Sequence, residues 1–196
     1  MIRFFDILFS LIGLLLLAPV WIIIAIGIVT ESRGGVFYKQ IRVGKTGKDF
    51  LLYKFRSMRS GSDQYGLLTV GADSRITSIG KFIRKYKIDE LPQLYNVFKG
   101  DMSLVGPRPE VRKYVNMYSK EQLKVLEVLP GLTDYASIEY VDENKILAES
   151  VDSDKVYIEQ IMPAKIKLNL VYIENRNIKN YFRIIFLTLY KIIHRN

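Results

Sequence analysis

The chain lacks cysteine altogether and contains one histidine and one tryptophan among its 196 residues. Without cysteine there is no disulfide framework, which suits a reducing compartment. The single histidine, His194, stands close to the carboxyl end of the chain. Neither a histidine-based metal cluster nor a Ser/His/Asp triad can be assembled from it. Internal repeats and low-complexity segments are missing as well.

Negative charge is also in short supply. Asp and Glu number 20 against 29 Lys and Arg, which gives a formal net charge of +9. Such an excess indicates an anionic partner, which could be nucleic acid, anionic lipid or a phosphorylated substrate. The length suits one ordinary domain with an attachment, and it allows a buried core.

Charge is absent from one long stretch near the amino terminus, Ile7 to Thr30. As a helix this stretch would be about 36 Å long, enough to cross a bilayer. It has no small-residue cleavage site, so it does not match a signal peptide. A buried core helix would be shorter and more amphipathic. Asp6 and Ser10 are poor lipid-facing residues near its start. The stretch therefore predicts a membrane helix.

Pro19 lies in the middle of this run and predicts a kink, because it removes the hydrogen bond to the carbonyl of Leu15. Basic residues flank the run on both sides, Arg3 before it and Arg33 and Lys39 after it. Since basic flanks favour the cytoplasmic face, both ends are drawn to the same side of the membrane. A re-entrant helix broken at Pro19 satisfies this pattern. A proline-kinked spanning helix is about equally compatible with the residues alone.

Two segments rich in β-branched and aromatic residues follow, at Val36–Arg42 and Phe50–Met58. The sequence Gly44-Lys45-Thr46-Gly47 separates them, which predicts a β-hairpin. It does not complete a phosphate-binding P-loop, because Lys39 occupies the position of the first glycine. The basic residues of the second segment suit a solvated strand edge as well as an anionic ligand.

Two adjacent carboxylates, Asp89 and Glu90, directly precede a helix pattern in which Pro92 suits the first turn and Gly100 the end. A helix amino terminus favours negative charge, so we expect a carboxylate there to stay ionised. An ionised carboxylate can act as a nucleophile or hold a metal. In an arbitrary protein, however, such a pair is more often a simple cap.

Two arginines stand near these carboxylates in the sequence. Arg84 comes before Asp89, and Arg108 follows between Pro107 and Pro109. The two prolines stiffen the backbone around Arg108, and the planar guanidinium suits phosphate. Gly-Pro-Arg-Pro alone is usually a turn. Combined with the carboxylates, it favours phosphoryl transfer.

The stretch that carries these residues closely resembles the bacterial sugar transferase family, the monotopic phosphoglycosyl transferases. The hairpin segment, from Phe37 to Met58, is similar to the same family. The resemblance weakens after Leu132, where members commonly continue Thr-Gly and this chain has Thr133-Asp134. The matching residues of the central stretch are Asp89–Leu94, Asn96, Val97 and Lys99–Glu110.

The resemblance implies a mostly helical α+β fold in which amphipathic interfacial helices surround a small catalytic domain. Residues 1–33 would form a re-entrant membrane helix broken at Pro19, where Ala18 replaces the serine that members commonly have. Residues 34–196 would form a catalytic domain facing the cytoplasm at the bacterial inner membrane. Its carboxyl end, about 181–195, carries a basic stripe on an apolar helix and predicts an interfacial helix. A core-packing helix is the alternative there.

The same resemblance implies an enzyme that moves a sugar-1-phosphate from a UDP-sugar to polyprenyl phosphate and releases UMP. Asp89 would attack the sugar-bearing phosphorus to form a covalent aspartyl intermediate, and the cofactor would be Mg²⁺, held by Asp89 and Glu90. Membrane lipids are further partners, and a homodimer is neither required nor excluded. The substrate-binding residues would be Arg84, Arg108, Pro107, Pro109, Gln93, Lys54 and Arg56.

The segments outside the central stretch carry simpler predictions. Ser60–Gly71 is predicted to be a loop, and Ile79–Lys85 a short helix. Glu110–Leu126 is predicted to be one amphipathic helix ended by Pro130 and Gly131. For Ala164–Ile173 the alternation suits a strand, but the family pattern favours a helix.

Other functions remain alternatives. A basic adaptor that binds anionic lipid without catalysis would use the hairpin and the carboxyl-terminal helix, but it gives Asp89 and Glu90 no role. Nucleic-acid binding would follow from charge alone, yet no recognised motif supports it. The CDP-alcohol transferases require a pattern of Asp, Gly, Ala and Arg residues that this chain does not contain.

Overall fold

The computed structural model describes residues 1–62, 73–140 and 143–194. Most of the predicted loop at Ser60–Gly71 lies outside these residues. The described part is a mostly helical α+β arrangement with a long amino-terminal helix and two small sheets. Its regular elements are α1 (Ile2–Glu31), β1 (Phe37–Val43), β2 (Asp49–Phe55), α2 (Ser78–Lys85), α3 (Gln93–Lys99), β3 (Ser103–Val105), α4 (Arg112–Val115), β4 (Gly131–Thr133), α5 (Tyr135–Glu139), α6 (Glu143–Ala148), α7 (Ser153–Val156), α8 (Met162–Glu174) and α9 (Ile178–Ile193).

Helix α1 is 30 residues long, which corresponds to about 45 Å. Among the described residues it is the helix that is long and apolar enough to cross a membrane. The predicted break at Ala18–Pro19 does not appear, because α1 continues through Pro19. One proline removes one backbone N–H, and the long apolar flanks keep the rest of the hydrogen-bond ladder in place.

The amino-terminal end of α1 is fixed to the rest of the protein by polar contacts. Asp6 is 1% exposed. Its carboxylate accepts hydrogen bonds from the Ser103 hydroxyl at 3.0 Å, the Leu104 N–H at 2.9 Å and the Tyr181 hydroxyl at 2.9 Å. Arg3 donates to backbone carbonyls at the end of α3. These contacts tie the first turns of α1 to α3, β3 and α9.

The carboxyl-terminal end of α1 is fixed to α2. Glu31 accepts hydrogen bonds from the free N–H groups of Ser78 and of Ile79, the latter at 2.9 Å. A β-carbon at Gly27 would lie 2.2 Å from Ile79 Cδ1, so the two helices approach closely here, and any larger residue would displace the Ile79 side chain. Both ends of α1 are thus attached to the same domain.

The predicted hairpin is confirmed by strands β1 and β2. They pair in antiparallel register from Phe37 opposite Phe55 to Val43 opposite Asp49. Trp21 of α1 packs edge-on against Phe55, with ring centroids 5.5 Å apart. This contact packs one end of the hairpin against α1, and Lys54 of β2 borders the candidate site.

A second small sheet orients the Pro-Arg-Pro loop. β3 and β4 are parallel, with Ser103 opposite Gly131 and Val105 opposite Thr133. A β-carbon at Gly131 would lie 2.1 Å from the backbone nitrogen of Gly106, so the two backbones touch where no side chain fits. The loop that leaves β3 therefore has a fixed starting point.

The predicted helix at Glu110–Leu126 is wrong as a single element. The structure has the short α4 and, after a turn, a 3₁₀ helix at Gln122–Glu127. The reason is a reciprocal cap: Ser119 N–H donates to the Gln122 side chain at 2.8 Å, and Gln122 N–H donates to the Ser119 hydroxyl at 3.2 Å. This Ser-x-x-Gln pattern is a capping box, which starts a new helical turn.

The carboxyl-terminal region is helical, as the family pattern predicts. α8 confirms the helix over Ala164–Ile173. α9 buries Tyr181 and Ile184 completely but leaves Phe186 67% and Ile193 77% exposed. Its first half packs into the core, and its second half presents an apolar surface.

Candidate active site

A deep cleft of about 880 Å³ contains most of the predicted site residues. It is bordered by the hairpin, the turn Ile88–Glu90, the loop that follows β3, and one face of α8. Its volume lies within the range of ordinary small-molecule sites. The cleft is the place where the described residues bring carboxylates and arginines together.

The two carboxylates lie in a 3₁₀ turn, Ile88–Glu90, just before α3. The turn is entered through Lys87, whose φ of 57° is left-handed, an uncommon conformation for a residue other than glycine. Such local strain is concentrated at functional sites. Asp89 is 7% and Glu90 is 9% exposed, so both carboxylates lie at the bottom of the cleft.

Glu90 is held by two cationic side chains. Lys54 Nζ lies 3.0 Å from Glu90 Oε1. Arg108 binds the same carboxylate with both ends of its fork, through Nη1 to Oε2 at 3.2 Å and through Nη2 to Oε1. A bidentate contact of this kind fixes the planes of both groups. The structure therefore uses part of the Arg108 guanidinium to orient Glu90, and the side chain still borders the cleft.

Asp89 differs from its neighbour. Within the described ranges, its carboxylate has no hydrogen bond or ion pair. Burial raises the pKa of Asp89, and the negative charge of Glu90 raises it further. Burial alone would raise the pKa of Glu90 as well, but Arg108 and then Lys54 hold it well below its usual range. Burial therefore raises the pKa of Asp89 in spite of its place before a helix, whereas cationic partners lower the pKa of its neighbour Glu90.

The backbone around Arg108 is held from two sides. Gly131 N–H donates to the Pro107 carbonyl at 2.9 Å. Arg108 N–H donates to Asp134 Oδ2 at 3.1 Å. On the other side, Arg42 Nη1 donates to the Pro109 carbonyl at 3.0 Å. The guanidinium of Arg108 is thus presented from a loop whose carbonyls and N–H groups are occupied.

The remaining predicted residues are divided between the cleft and the interior. Arg84 and Pro109 border the cleft. Pro107 borders a separate, much smaller cavity next to Pro130. Gln93 is 1% exposed and does not border the cleft, so its predicted contact with substrate is not supported.

Comparison with known proteins agrees with this geometry. The family model described as bacterial sugar transferase matches residues 1–195. The chain belongs to the bacterial sugar transferase family.

Its curated relatives carry related names. One is the UDP-N-acetylgalactosamine-undecaprenyl-phosphate N-acetylgalactosaminephosphotransferase of Aeromonas hydrophila, 38% identical over 97% of this chain and 43% of that protein. Another is the uncharacterized sugar transferase EpsL of Bacillus subtilis, 40% identical over 97% of this chain and 86% of that protein. A third is the UDP-glucose:undecaprenyl-phosphate glucose-1-phosphate transferase of Klebsiella pneumoniae, 37% identical over 96% of this chain and 39% of that protein. The chain spans less than half of the first and third of these relatives.

In this family member Arg56 has a structural role that was not predicted. Its Nη1 donates to the Arg33 carbonyl and the Ser60 hydroxyl, and its Nη2 donates to the Ser32 and Ile28 carbonyls. All four terminal N–H bonds are occupied in closing the end of α1. Arg56 is therefore a helix cap that also borders the cleft, and its contact with substrate stays a prediction.

Two residues of the sugar transferase site were missed by the sequence reasoning. Asp134 is completely buried and caps α5 by accepting the Ser137 N–H, while its other oxygen holds Arg108 N–H. Its Asp-x-x-Ser spacing before a helix was a usable signal. Arg42 donates a hydrogen bond to the Pro109 carbonyl, and this contact between distant segments is not indicated by any local sequence pattern.

The candidate metal ligands are of the chemical type that Mg²⁺ binds. Asp89 and Glu90 supply hard carboxylate oxygens, and the Asp89 carboxylate, which borders the cleft, makes no hydrogen bond to the residues described. No group of three or more His, Cys, Asp or Glu side chains is close enough to hold a metal, over the described residues. Mg²⁺ commonly takes one or two carboxylates and completes its shell with substrate phosphates and water. The pair therefore suits an ion that arrives with a diphosphate.

Proposed function

We propose that this protein transfers a sugar-1-phosphate from a UDP-sugar to undecaprenyl phosphate and releases UMP. The observation that carries the proposal is the arrangement of two buried carboxylates with unlike surroundings beneath a cationic cleft, Glu90 bound by Lys54 and Arg108 and Asp89 left unbound. The names of the relatives point in the same direction. A lipid-binding adaptor has no use for a buried carboxylate pair, whose desolvation is unfavourable.

The unlike surroundings assign different roles to the two carboxylates. A Glu90 oxygen held by two cations is a poor nucleophile, whereas the Asp89 carboxylate is not restrained in this way. An Asp89 oxygen would bond to the sugar-bearing phosphorus as the bridging P–O bond breaks, and that electron pair leaves with UMP. An oxygen of undecaprenyl phosphate would then attack the same phosphorus and return the Asp89 carboxylate. Arg84 and Arg108 would hold the phosphate oxygens during both steps.

Magnesium, bound by Asp89 and Glu90, would neutralise charge on the diphosphate and aid departure of UMP. We expect EDTA to lower turnover by at least about 100-fold, since a lost divalent ion removes several kcal/mol of charge stabilisation. Added Mg²⁺ should restore the rate, as measured by UMP release. Full activity in excess EDTA would contradict a metal role.

The direct test of the function is a panel of UDP-sugars incubated with the full-length protein and undecaprenyl phosphate. We expect UMP release with at least one donor, and the sugar-1-phosphate should appear on the lipid in equal amount. Release that does not depend on the lipid over many turnovers would indicate hydrolysis instead.

We also propose that the protein enters the membrane from one face, which the attachment of both ends of α1 to one domain supports. A spanning helix would separate these ends by the thickness of the bilayer. The middle of α1 carries its most exposed apolar residues, Leu15 and Leu16 at 68% and 73% and Ile22 and Ile23 at 63% and 70%. This part would lie deepest in the lipid, and α1, which is continuous through Pro19 in the structure, would have to bend there in the membrane for both ends to stay on one face. The domain and the exposed half of α9 would then lie on the cytoplasmic face of the inner membrane.

Cysteine labelling tests this topology on a chain that has no native cysteine. Phe4 and Gly35 flank the membrane segment, and Lys167 is an exposed control on the domain. Gly34 is unsuitable, because a β-carbon there would lie 2.0 Å from Arg56 Nη1. Cysteines at the three chosen sites should resist a membrane-impermeant maleimide in intact cells and react together after permeabilisation. Labelling of the Phe4→Cys variant alone from outside would show a spanning helix.

A further inference from the structure

A second end of the cleft, formed by elements other than those that carry the carboxylates, differs in chemistry. This end is bordered by one face of α8 and by α5 and α6. Its polar groups are uncharged, or paired with each other, as in the contact of Lys165 Nζ with Glu143 Oε2 at 2.8 Å. Tyrosine rings cover much of the wall. They are Tyr114, Tyr118, Tyr140 and Tyr157.

The α8 face is built by a local change of helix type. Tyr157–Ile161 is a π-helical turn, in which Met162 N–H donates to the Tyr157 carbonyl five residues before it. Such turns are rare and are often found at functional sites. After it, Met162, Ile166 and Asn169 recur at regular helical spacing and all border the cleft. An asparagine is thereby placed on an otherwise mainly apolar wall.

Asn169 is the unexplained residue of this wall. It is 5% exposed, yet within the residues described its Oδ1 has no hydrogen-bond partner. A buried polar atom without a partner is uncommon in a native protein, and its energetic cost calls for a reason. Asn169 borders the cleft, and a rotation of its side-chain amide would bring the fully buried Oδ1 within reach of a ligand that supplies the missing partner. A side-chain amide offers both a donor and an acceptor, which suits a hydroxyl or an acylamino group.

We propose that this end of the cleft is the sugar subsite, and that Asn169 is a specificity-determining residue that binds a hydroxyl or acylamino group of the donor hexose. This inference rests on the proposed function. Ser137 and Tyr140 border the same end, and both come from the stretch after Leu132 in which the chain departs from the family pattern. The named relatives differ in their sugar and share undecaprenyl phosphate. The part of the cleft wall in which this sequence departs from the family pattern would therefore contact the sugar, which is the part of the substrate that differs among the named relatives.

The cationic end cannot perform this task. Glu90, Lys54 and Arg108 are bound to one another, and the nearby Lys87 and Arg84 favour phosphate. A neutral sugar presents hydroxyl groups, which gain most from neutral donors and acceptors in a partly apolar pocket. The two ends of the cleft thus match the charged and uncharged halves of a sugar diphosphate.

The test compares wild type with Asn169→Ala, Asn169→Leu and the matched control Lys167→Ala, an exposed residue on the other side of α8. Each protein is assayed for UMP release with UDP-glucose, UDP-galactose and their two N-acetylhexosamine counterparts, and for inhibition by UMP. We expect Asn169→Ala to lower kcat/KM for the best donor by about 10- to 100-fold and to narrow the spread between donors. The inhibition constant of UMP should change by less than about twofold, and Lys167→Ala should match wild type.

A second measurement separates binding from a structural role. Because Asn169 Oδ1 is unpartnered, Asn169→Leu should keep or raise the thermal midpoint of the free protein. A lowered midpoint, together with equal losses for every donor, would show a structural residue and overturn the proposal. Equal weakening of all donors and of UMP would assign this end to the nucleotide. If the wild type turns over and Asn169→Ala has the same kinetics, the sugar subsite is contradicted but the proposed function is not. If the wild type is inactive with every donor, the proposed function and the subsite are both overturned.

Discussion

Replacing Asp89 by Asn is expected to abolish both UMP release and sugar transfer, with a loss of at least about 10⁴-fold in kcat. The amide keeps the size of the side chain but cannot form the acyl phosphate bond. The decisive measurement uses radiolabelled UDP-sugar and Mg²⁺ without undecaprenyl phosphate, followed by quenching and digestion. Label should stay on the wild-type peptide that contains Asp89 and be absent from Asp89→Asn. Turnover that requires both substrates at once, without labelled peptide, would favour direct displacement.

The matched control for this experiment is Glu90→Gln, and the two variants should differ in stability as well as in labelling. The raised pKa of Asp89 means that its ionised form destabilises the folded protein, a penalty that grows as pH rises through that pKa. Asp89→Asn removes the penalty and should raise the thermal midpoint at pH 8. The lowered pKa of Glu90 means that its ionised form stabilises the fold above its usual pKa.

Glu90→Gln should therefore lower the midpoint at pH 8, because it leaves Lys54 and Arg108 without their anion. Breaking such a buried pair costs about 3 kcal/mol, or on the order of 6–12 °C for a chain of this size. The rise in midpoint for Asp89→Asn and the fall in midpoint for Glu90→Gln should both become smaller as the pH falls below about 4, where the carboxylates of the unfolded chain are protonated. Equal midpoints for the two variants at pH 8 would contradict the unlike surroundings of the carboxylates.

Arg108→Lys is expected to lower kcat/KM by about 100- to 1000-fold, although the positive charge is retained. Lysine cannot bind Glu90 with two parallel hydrogen bonds while offering further N–H groups to a phosphate. The inhibition constant of UMP should rise as well, since both the phosphate contact and the orientation of Glu90 are lost. The matched control is Arg112→Lys, in which an exposed arginine contacts Asp49 at the surface. Arg112→Lys should behave as wild type, and equal behaviour of Arg108→Lys would place that residue outside the site.

The sequence predicts best where a pattern is local. The uncharged run predicts α1, and the glycines between two β-like segments predict the hairpin. Gly100 predicts the end of α3, where it adopts a left-handed conformation with φ of 105°. The carboxylate pair and Arg108 were identified from their neighbours along the chain, and the structure brings them together with Lys54. In each case the decisive information lies within a few residues.

Prediction fails where the outcome depends on distant partners. The cap that Arg56 forms is not predicted, because the carbonyls it binds lie at or just after the end of α1, more than twenty positions earlier. The raised pKa of Asp89 is another such case, because it comes first from burial by distant segments, which the nearby helix terminus does not indicate. The helix predicted over Glu110–Leu126 failed for a different reason, because a local capping box at Ser119 was overlooked.

The contact between Asp6 and Tyr181 has a consequence for how the protein is made. The two residues are separated by 175 positions, so the hydroxyl that binds Asp6 is synthesised long after Asp6 itself. Until then, a carboxylate at the start of the membrane helix has an incomplete set of partners, and a charge at that depth is unfavourable in lipid. The chain must therefore delay the final seating of α1 until α9 leaves the ribosome, after Ser103 and Leu104 have already appeared. A nascent chain stopped short of Tyr181 would hold its membrane helix more loosely than the finished protein does.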